Sequence, residues 1–503
     1  MNYTIDLNEK SRPYPHYWEL CVGSCHAATL LRADVQEHIR KAHERIGFRY
    51  LRCHGLLDDD MSVVIPGFKG FVEPQISFFN IDRICDFLLD TGMKPFLELS
   101  FMPELYASSG HTTFHYKGFS SMPKKDGDWS NLITELVRHL EERYGSEEVR
   151  SWFFEVWNEP NLAFFFEGTQ EDYFHLYELT ARAIKSVDTA LRVGGPATSN
   201  NAWIPEFRAF CESNDVPYDF ISTHHYPSDD PLSTAGMNGP GVRGLDVSDV
   251  NISEIDPARL QEMLAGFTKE NRNPRDILLR FTQKAKQEAG DTPLYYTEWN
   301  VGHYDTSYAA AGVLATIAYN ERLVEGYSYW CVSDIFEELG LHGLPFNNEF
   351  GLVNVYGIPK PVFRVFEVLH QSGDRRLPVV ADAHPSEEDN NYRTAEVFAL
   401  TDGKTVTVFA YNHDIEEREI KDVKMRLTVM GEYSRIEKAV IDSTHTNPLA
   451  HWESQGKPTY PSQEELRQIE EASELVWNDV TGDTDPFMFY AEKESVTIFR
   501  ITR

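Results

Sequence analysis

The sequence predicts an α/β protein: a closed (β/α)8 TIM barrel with an additional C-terminal β-sandwich. From about residue 16 to 332, short apolar runs alternate with longer amphipathic segments, a pattern typical of βα units. Beyond residue 373 the runs become short and strand-like. The chain of 503 residues also exceeds one ordinary core, so a second domain is expected.

Eight candidate strands precede residue 334, and amphipathic segments separate them. One such segment contains Val35, Ile39, Ala42 and Ile46, apolar residues spaced three and four apart as on one face of a helix. Eight consecutive βα units predict a barrel with its active site at the carboxyl ends of the strands. The candidate strands are HYWELCVGS (16–24), FRYLRCH (48–54), KPFLELS (94–100), SWFFEVWN (151–158), RVGGPAT (192–198), YDFISTHHY (218–226), TPLYYTEW (292–299) and GYSYWCVS (326–333).

Three long irregular segments, residues 101–128, 227–256 and 333–358, each follow a candidate strand. They are therefore expected to wall the carboxyl face of the barrel. The second is rich in Pro, Gly, Ser and Asp, which is typical of an ordered functional loop or a flexible lid.

The predicted domains are a catalytic barrel over 16–373 and a β-sandwich over 374–503, which residues 1–15 could complete. Two strand-like runs flank Asp402-Gly403 and predict a hairpin. One helix interrupts the strands, and it opens with Ser462 and Glu465 at the spacing of a capping box.

The formal net charge of −32 argues against binding to nucleic acid or to an anionic membrane surface. No apolar run reaches the roughly 18 residues of a membrane span. The first residues, MNYTIDLNEK, lack the basic and then apolar pattern of a signal peptide. Six scattered cysteines suggest neither a disulfide framework nor a zinc site. We therefore expect a cytoplasmic protein with reduced thiols, no metal and no cofactor.

Two glutamates stand at the ends of candidate strands on opposite sides of the predicted barrel mouth. Glu159 follows the fourth strand and Glu298 ends the seventh. Each alone could form a salt bridge at the rim. Together they match glycoside hydrolysis, in which one carboxyl protonates the leaving oxygen and the other meets the anomeric carbon.

Several segments resemble glycoside hydrolase family 39 of clan A, whose bacterial members are chiefly β-xylosidases. They are residues 23–63 (GSCHAATL to DDDMSV), WNEPNL, HHYP, YYTEWN and SDIFEE, and the resemblance extends through YGIPKPVFRVFEVL near the end of the barrel. It implies a retaining, exo-acting β-xylosidase that releases xylose from the non-reducing end of short, neutral xylo-oligosaccharides. It also implies a homo-oligomer, namely a tetramer.

The resemblance assigns roles to individual residues. Glu159 would be the general acid/base and Glu298 the nucleophile. Asn158 would hold the sugar 2-hydroxyl, and Tyr226 would orient Glu298. By the two-residue alternation of a strand, His224 would point to the same side as Tyr226, although it could equally be a core histidine.

The remaining implied contacts line the pocket. Trp330 matches the position of the sugar-stacking ring, although a strand Trp is often part of the core. Glu337 would receive sugar hydroxyls, with Glu338 beside it as the alternative. Phe114 would help to close the pocket. His54 ends the second strand, and Arg52 before it could instead brace the barrel. Family members often carry Trp where this chain has His115.

Three other functions compete with this interpretation. A carbohydrate-binding barrel without activity would be expected to lose one of the two carboxylates. An α-L-iduronidase acts on an anionic glycan, which the acidic charge disfavours. An endo-acting clan A glucanase or xylanase would need an open cleft, whereas the three long loops favour a walled pocket.

Overall fold

The computed structural model describes residues 1–68, 73–227, 275–382, 394–415, 420–482 and 487–503. The predicted loop 227–256 lies outside these ranges except for Pro227.

Eight parallel strands close into the predicted barrel, in chain order around the ring. Each coincides with a candidate strand of the sequence. The first begins later than predicted, because Tyr17–Glu19 form a 3-10 turn before it. The barrel strands are Cys21–His26, Tyr50–His54, Lys94–Leu99, Phe153–Val156, Arg192–Thr198, Phe220–His225, Leu294–Trp299 and Gly326–Tyr329.

An α-helix follows each barrel strand along the chain. The first buries Val35, Ile39, Ala42 and Ile46, the residues that predict its inner face, and it ends where Gly47 takes a φ of 83°. The principal helices are Ala33–Ile46, Phe79–Thr91, Asp126–Tyr144, Gln170–Val187, Ile204–Asn214, Ile277–Ala289, Ser307–Tyr319 and Pro361–His370.

Two further sheets share one apolar core, in which Phe489 of one sheet lies 5.3 Å from Phe499 of the other, ring centre to ring centre. The predicted hairpin around Gly403 is present. The larger sheet runs in the order Arg12–Pro13, Arg375–Leu377, Ala395–Thr401, Thr405–Asn412, Ser495–Thr502, Arg435–Ile441 and Asn478–Asp479. The smaller sheet runs in the order Val380–Ala381, Asn2–Asp6, Val423–Met430 and Phe487–Ala491. The division of the chain at residue 373 stays a prediction.

A helical insert, Pro448–Ser454 and Gln463–Ala472, leaves the larger sheet and returns to it. The capping box predicted from Ser462 and Glu465 opens its second helix. The insert packs its apolar side chains on the segment that follows the eighth barrel strand. Trp452 and Ile469 of the insert form one buried cluster with Phe346 and Ile358 of that segment.

All six cysteines are buried free thiols. Within the described ranges, no helix combines the length and the apolar character that crossing a membrane would require.

The barrel interior is built in layers, because alternate residues of each strand point inward. The lower layer is aromatic, and its members are Tyr50, Phe96, Phe153, Phe220 and Tyr295. Two residues further along the strands the side chains become charged or polar. This middle layer contains Arg52, Glu98, Glu155 and Thr297. The upper layer, at the carboxyl ends of the strands, carries the candidate site.

Candidate active site

A tight turn after the fourth strand presents Glu159. Trp157 and Glu159 both have left-handed backbones, with φ of 70° and 42°, which side chains other than glycine rarely adopt. Two hydrogen bonds hold this turn. The Trp157 indole N–H donates to the Phe165 carbonyl at 2.9 Å, and the Glu159 N–H donates to the Ala197 carbonyl at 2.8 Å.

A β-bulge near the end of the seventh strand presents Glu298. Thr223 of the sixth strand pairs with Tyr296, but the next residue, His224, pairs with Glu298, so Thr297 is the extra residue. Bulges of this kind re-aim side chains beside active sites. Both Thr297 and Glu298 make hydrogen bonds inside the barrel as a result.

The two carboxyl groups face each other across the barrel mouth. An oxygen of Glu159, an oxygen of Glu298 and a ring nitrogen of His224 lie within 4.8 Å of one another. Burial raises the pKa of the Glu159 carboxyl to about 7, although the nearby positive charges of His54 and Arg52 oppose the rise. Glu159 can therefore carry a proton near neutral pH.

Glu298 has a different environment, since hydrogen-bond donors reach both of its oxygens. Arg52 donates to one oxygen at 2.8 Å, and the Tyr226 hydroxyl donates to the other at 2.9 Å. His54 Nε2 lies 3.5 Å from the first of these oxygens. These contacts stabilise a negative charge on Glu298.

Arg52 is fully buried and connects three carboxylates. Besides Glu298 it contacts Glu155 at 2.6 Å and Glu98 at 2.9 Å. Burial opposes its charge, but the three carboxylates raise its pKa well above the ordinary value. Burial likewise opposes a charge on Glu98, yet His54, 2.7 Å away, and Arg52 lower the pKa of Glu98. The middle layer is thus a compensated set of buried charges.

Asn158 is oriented by the same arginine. Its side-chain carbonyl accepts a hydrogen bond from Arg52 at 2.8 Å, which fixes the direction of the amide. Its amide nitrogen is buried and has no hydrogen-bond partner among the described residues. A buried donor without a partner is available to a ligand hydroxyl.

Aromatic side chains wall the site on two sides. Trp330 lies over Gly23, where a Cβ would come within 2.4 Å of its ring, and its ring centre is 4.6 Å from that of His54. Phe114 is further out, half-buried, with its ring centre 5.1 Å from that of Phe165. The rings of His54 and Phe165, 6.0 Å apart, lie between these two predicted residues, of which Trp330 is buried and Phe114 half-buried.

The loop after the third strand meets the loop after the eighth strand at the rim. The backbone N–H of His115 donates to the carbonyl of Glu338 at 2.8 Å. A backbone bond does not need the tryptophan that the family often carries at position 115. His115 itself is exposed, so its ring adds little to the pocket wall.

The paired glutamates Glu337 and Glu338 point in different directions. Glu338 comes within 4.0 Å of His54, and burial together with the charges of Glu298 and Glu159 raises its pKa to about 8. Glu337 instead lies 3.9 Å from His26 and 3.9 Å from Arg32. Of the two alternatives left open by the sequence, Glu338 is the one beside the catalytic candidates.

The charged residues of the middle layer were not among the predicted site residues, although each leaves a signal in the sequence. Glu98 in KPFLELS and Glu155 in FFEVWN stand inside apolar strand runs, at positions that point into the barrel. Arg52 was considered only as a brace. A charge within a buried run needs a partner, so these residues together indicate an ion-pair cluster.

Two groups of described residues bring potential metal-binding atoms together. The first, His16, Glu19 and His370, is tied by hydrogen bonds of 2.6 and 3.0 Å to Glu19. The second is Glu159, His224 and Glu298. Its atoms are engaged by one another and by Arg52 and Tyr226, so we interpret both groups as hydrogen-bond networks and assign no metal to them.

Comparison with known proteins shows the family of this chain. Residues 1–238 and 267–481 match the model of glycosyl hydrolases family 39. A β-xylosidase of Caldicellulosiruptor saccharolyticus is 42% identical over 485 residues, which is 94% of this chain and 92% of that protein. A β-xylosidase of Geobacillus stearothermophilus is 33% identical over 96% of this chain and 92% of its own length.

Solved structures show the same likeness in three dimensions. The crystal structure of a monomeric β-xylosidase from Caulobacter crescentus superposes with a TM-score of 0.80 and 29% sequence identity, covering 100% of this chain and 99% of that one. The family match, the two relatives and the shared barrel lead to one conclusion: the chain belongs to glycosyl hydrolase family 39 and is a glycoside hydrolase.

Proposed function

We propose that this enzyme is a retaining, exo-acting β-xylosidase that releases xylose from the non-reducing end of short, neutral xylo-oligosaccharides. The spacing of Glu159 and Glu298 carries the proposal. Retaining enzymes hold their two carboxyl groups about 5–5.5 Å apart, whereas inverting enzymes leave roughly 6.5–9.5 Å for a water molecule. Oxygens within 4.8 Å of each other favour the retaining arrangement.

Glu159 acts as the general acid in the first step. It donates its proton to the glycosidic oxygen as the bond to the leaving sugar breaks. The raised pKa of Glu159, about 7, supplies that proton near neutral pH. In the second step the same carboxylate takes a proton from the incoming water.

Glu298 attacks the anomeric carbon and forms the glycosyl-enzyme intermediate. Arg52 and Tyr226, at 2.8 and 2.9 Å, hold its two oxygens in a fixed orientation. The free amide N–H of Asn158 is placed to donate to the 2-hydroxyl, a contact that strengthens in the oxocarbenium-like transition state.

The walls of the site support exo action on a short chain. Trp330 offers an aromatic face to the apolar side of the sugar ring, and Phe114 closes the outer wall. The bond from His115 to Glu338 joins two loops across the rim. We assign to Glu338, rather than Glu337, the contact with the sugar hydroxyls, because it lies within 4.0 Å of His54.

An iduronidase activity, known for a relative from Mus musculus that is 24% identical, fits this site less well. An anionic sugar needs a cation that is free to meet its carboxylate. Arg52 already forms ion pairs with three carboxylates, and Glu338 adds another acidic group beside them. The site therefore favours a neutral sugar.

Two assays test the proposal. Aryl β-xyloside, β-glucoside, α-arabinoside and β-fucoside should be compared in parallel, and the xyloside is expected to have the highest kcat/KM. Proton NMR of xylobiose hydrolysis should then show β-xylose as the first product. An initial α-anomer would establish inversion and make Glu298 a base.

We also propose a cytoplasmic homo-oligomer, a tetramer. The six buried free thiols support a reducing compartment. The β-xylosidase of Caulobacter crescentus is monomeric, so the subunit number of this enzyme needs a direct measurement. Light scattering after gel filtration measures the subunit number directly, and a mass of one chain would reject the tetramer. Cell fractionation tests the location, and activity in the medium without lysis would reject it.

A further inference from the structure

We propose that Thr297 is a positioning residue that fixes the tautomer of His224 and thereby keeps the acid proton on Glu159. The inference rests on the proposed role of Glu159 as the general acid. It concerns a side chain that touches neither the sugar nor the reacting atoms and that the sequence did not single out.

Thr297 points into the barrel by two-residue alternation from Tyr295 of the lower layer. The bulge in the seventh strand pairs its neighbour Glu298 with His224, so both side chains lie inside the barrel. There the hydroxyl contacts Glu155 at 2.7 Å and the His224 Nε2 atom at 3.2 Å. Thr297 thus joins the buried ion pair of Glu155 and Arg52 to the histidine beside the catalytic candidates.

The direction of these hydrogen bonds follows from the donors available. Glu155 is paired with Arg52 at 2.6 Å and accepts, so the single hydroxyl proton of Thr297 is donated to it. The Thr297 oxygen is then left to accept a hydrogen bond from His224. His224 must therefore carry its proton on Nε2.

The other ring nitrogen of His224 faces Glu159. Burial lowers the pKa of His224 to about 4, so the ring is neutral near pH 7 and its Nδ1 atom holds a lone pair. Nδ1 lies 2.8 Å from a Glu159 oxygen. A hydrogen bond between these two atoms requires that the proton belong to Glu159. The series of hydrogen bonds from Glu155 through Thr297 and His224 thus stabilises the protonated form of Glu159.

Other charged groups also influence the pKa of Glu159 and of His224. The test must therefore keep these groups in place. The titratable and charged groups that face them are Arg52, His54, Glu98, Glu155, Tyr226, Glu298 and Glu338. A substitution of Thr297 removes none of these groups, although loss of the hydroxyl takes one hydrogen-bond donor from Glu155, which Arg52 still contacts at 2.6 Å. The state of the His224 ring is therefore measured directly, besides the pH profile.

The experiment removes the hydroxyl with Thr297→Val, which keeps the branched shape, and retains it with Thr297→Ser. Without its acceptor, His224 can move its proton to Nδ1 and donate to the Glu159 carboxylate, which favours the ionised acid. For phenyl xyloside, whose leaving group needs a proton, we expect the basic limb of kcat/KM in Thr297→Val to shift down by about one pH unit. Thr297→Ser should keep the profile of the unmodified enzyme.

A substrate that needs no proton separates this effect from general damage. With 2,4-dinitrophenyl xyloside, kcat/KM of Thr297→Val should stay within about twofold of the unmodified enzyme, because glycosylation then does not depend on the acid. An equal loss on both substrates, or an unshifted basic limb, would overturn the proposal. Thr297→Ala provides a second variant without the hydroxyl if the valine crowds the barrel.

Nitrogen-15 NMR of histidine-labelled protein reads the tautomer without any substrate. The His224 resonance is assigned by its loss in His224→Gln. We expect Nε2–H in the unmodified enzyme and in Thr297→Ser, and Nδ1–H in Thr297→Val. The same tautomer in all three would reject the role of Thr297. The tautomer measurement tests the role of Thr297 even if the enzyme hydrolyses no xyloside. A failure to hydrolyse xylosides would reject the proposed function but not the role of Thr297.

Discussion

The side chains inside the barrel change from aromatic to charged within two residues along a strand. On the third strand Phe96 lies in the lower layer and Glu98 in the middle layer. On the fourth strand Phe153 and Glu155 repeat this order, and the two strands pair Phe with Phe and Glu with Glu. An advance of two residues is about 6.6 Å along a strand. Over that distance the core passes from stacked aromatic rings to buried ions.

The two layers contribute to the enzyme in different ways. The rings of Phe96 and Phe153 stack with their centres 4.7 Å apart, and their burial stabilises the fold at every pH. The charged layer adds little net stability, because removing ions from water offsets their attraction. We therefore expect changes in the lower layer to alter the free energy of unfolding. Changes in the middle and upper layers should alter turnover and its dependence on pH, and they lower the free energy of unfolding where they leave a buried charge without its partner or change a group that titrates.

The largest effect is expected for Glu298→Ala. Without the proposed nucleophile, turnover of xylosides should fall by about 10⁴-fold or more. The fold should persist, because Arg52 keeps Glu98 and Glu155 as partners. Kinetics and thermal unfolding measured together check both statements. Added azide should yield the α-glycosyl azide from this variant, and a β-azide would contradict the assignment.

Glu159→Ala should separate substrates by their leaving groups. Hydrolysis of xylobiose, which needs a proton on the leaving oxygen, should slow by about 10²- to 10⁴-fold. The glycosylation step with 2,4-dinitrophenyl xyloside should be nearly unchanged, as measured by the burst of dinitrophenol. An equal loss with both substrates would exclude the acid role.

The sequence predicts the barrel and the facing glutamates well, because both depend on local patterns. Alternation of apolar runs defines the eight strands, and Glu159 and Glu298 follow directly from the strand ends. The choice between Glu337 and Glu338 could not be made from the sequence. It depends on how a long loop turns, which no periodic pattern records.

The contacts among the charged residues of the middle layer could not be predicted from the sequence, for a different reason. The strand pattern places Arg52 and Glu155 inside the barrel, but their contact depends on the tilt and stagger of several strands. The sequence also could not predict that Thr297 and Glu298 both point into the barrel. The alternation that orients His224 and Tyr226 correctly would separate Thr297 from Glu298, and only the bulge brings both inward.

Arg52→Met tests whether the charged layer is compensated. The substitution leaves Glu98, Glu155 and Glu298 without their shared cation, and removal of one partner from a buried pair costs about 3–5 kcal/mol. Urea unfolding measures this loss. Arg83→Met, which removes an exposed pair with Asp86, should cost less than about 0.5 kcal/mol. Similar losses in both variants would show that the layer is not a coupled set.

Glu159 should also make stability depend on pH. Its pKa rises from about 4.5 to about 7 on folding, so the unfolded chain loses this proton first as pH increases. Stability from this group is complete below about pH 4.5 and is lost as pH rises through 7, by about 3 kcal/mol in total. Relative to Glu159→Gln, the unfolding free energy of the unmodified enzyme should fall over that range. A difference that stays constant with pH would contradict the raised pKa.

The smallest effect is expected in the lower layer, from Phe96→Leu. Leucine keeps most of the apolar volume but loses the stacked contact with Phe153, so unfolding should become easier by about 1–2 kcal/mol. This loss should be the same at pH 5 and pH 8, because the rings of Phe153 and Phe220 that pack against Phe96 carry no titratable group. The basic limb of the pH profile of kcat/KM should not move, since the middle layer separates Phe96 from Glu159.

The matched variant Glu98→Gln, two residues further along the same strand, removes a charge that His54 and Arg52 both contact and should shift the pH profile. If Phe96→Leu shifted the profile as much as Glu98→Gln, the aromatic layer would be part of the catalytic machinery, and the division of the barrel into a stabilising and a reactive half would be wrong.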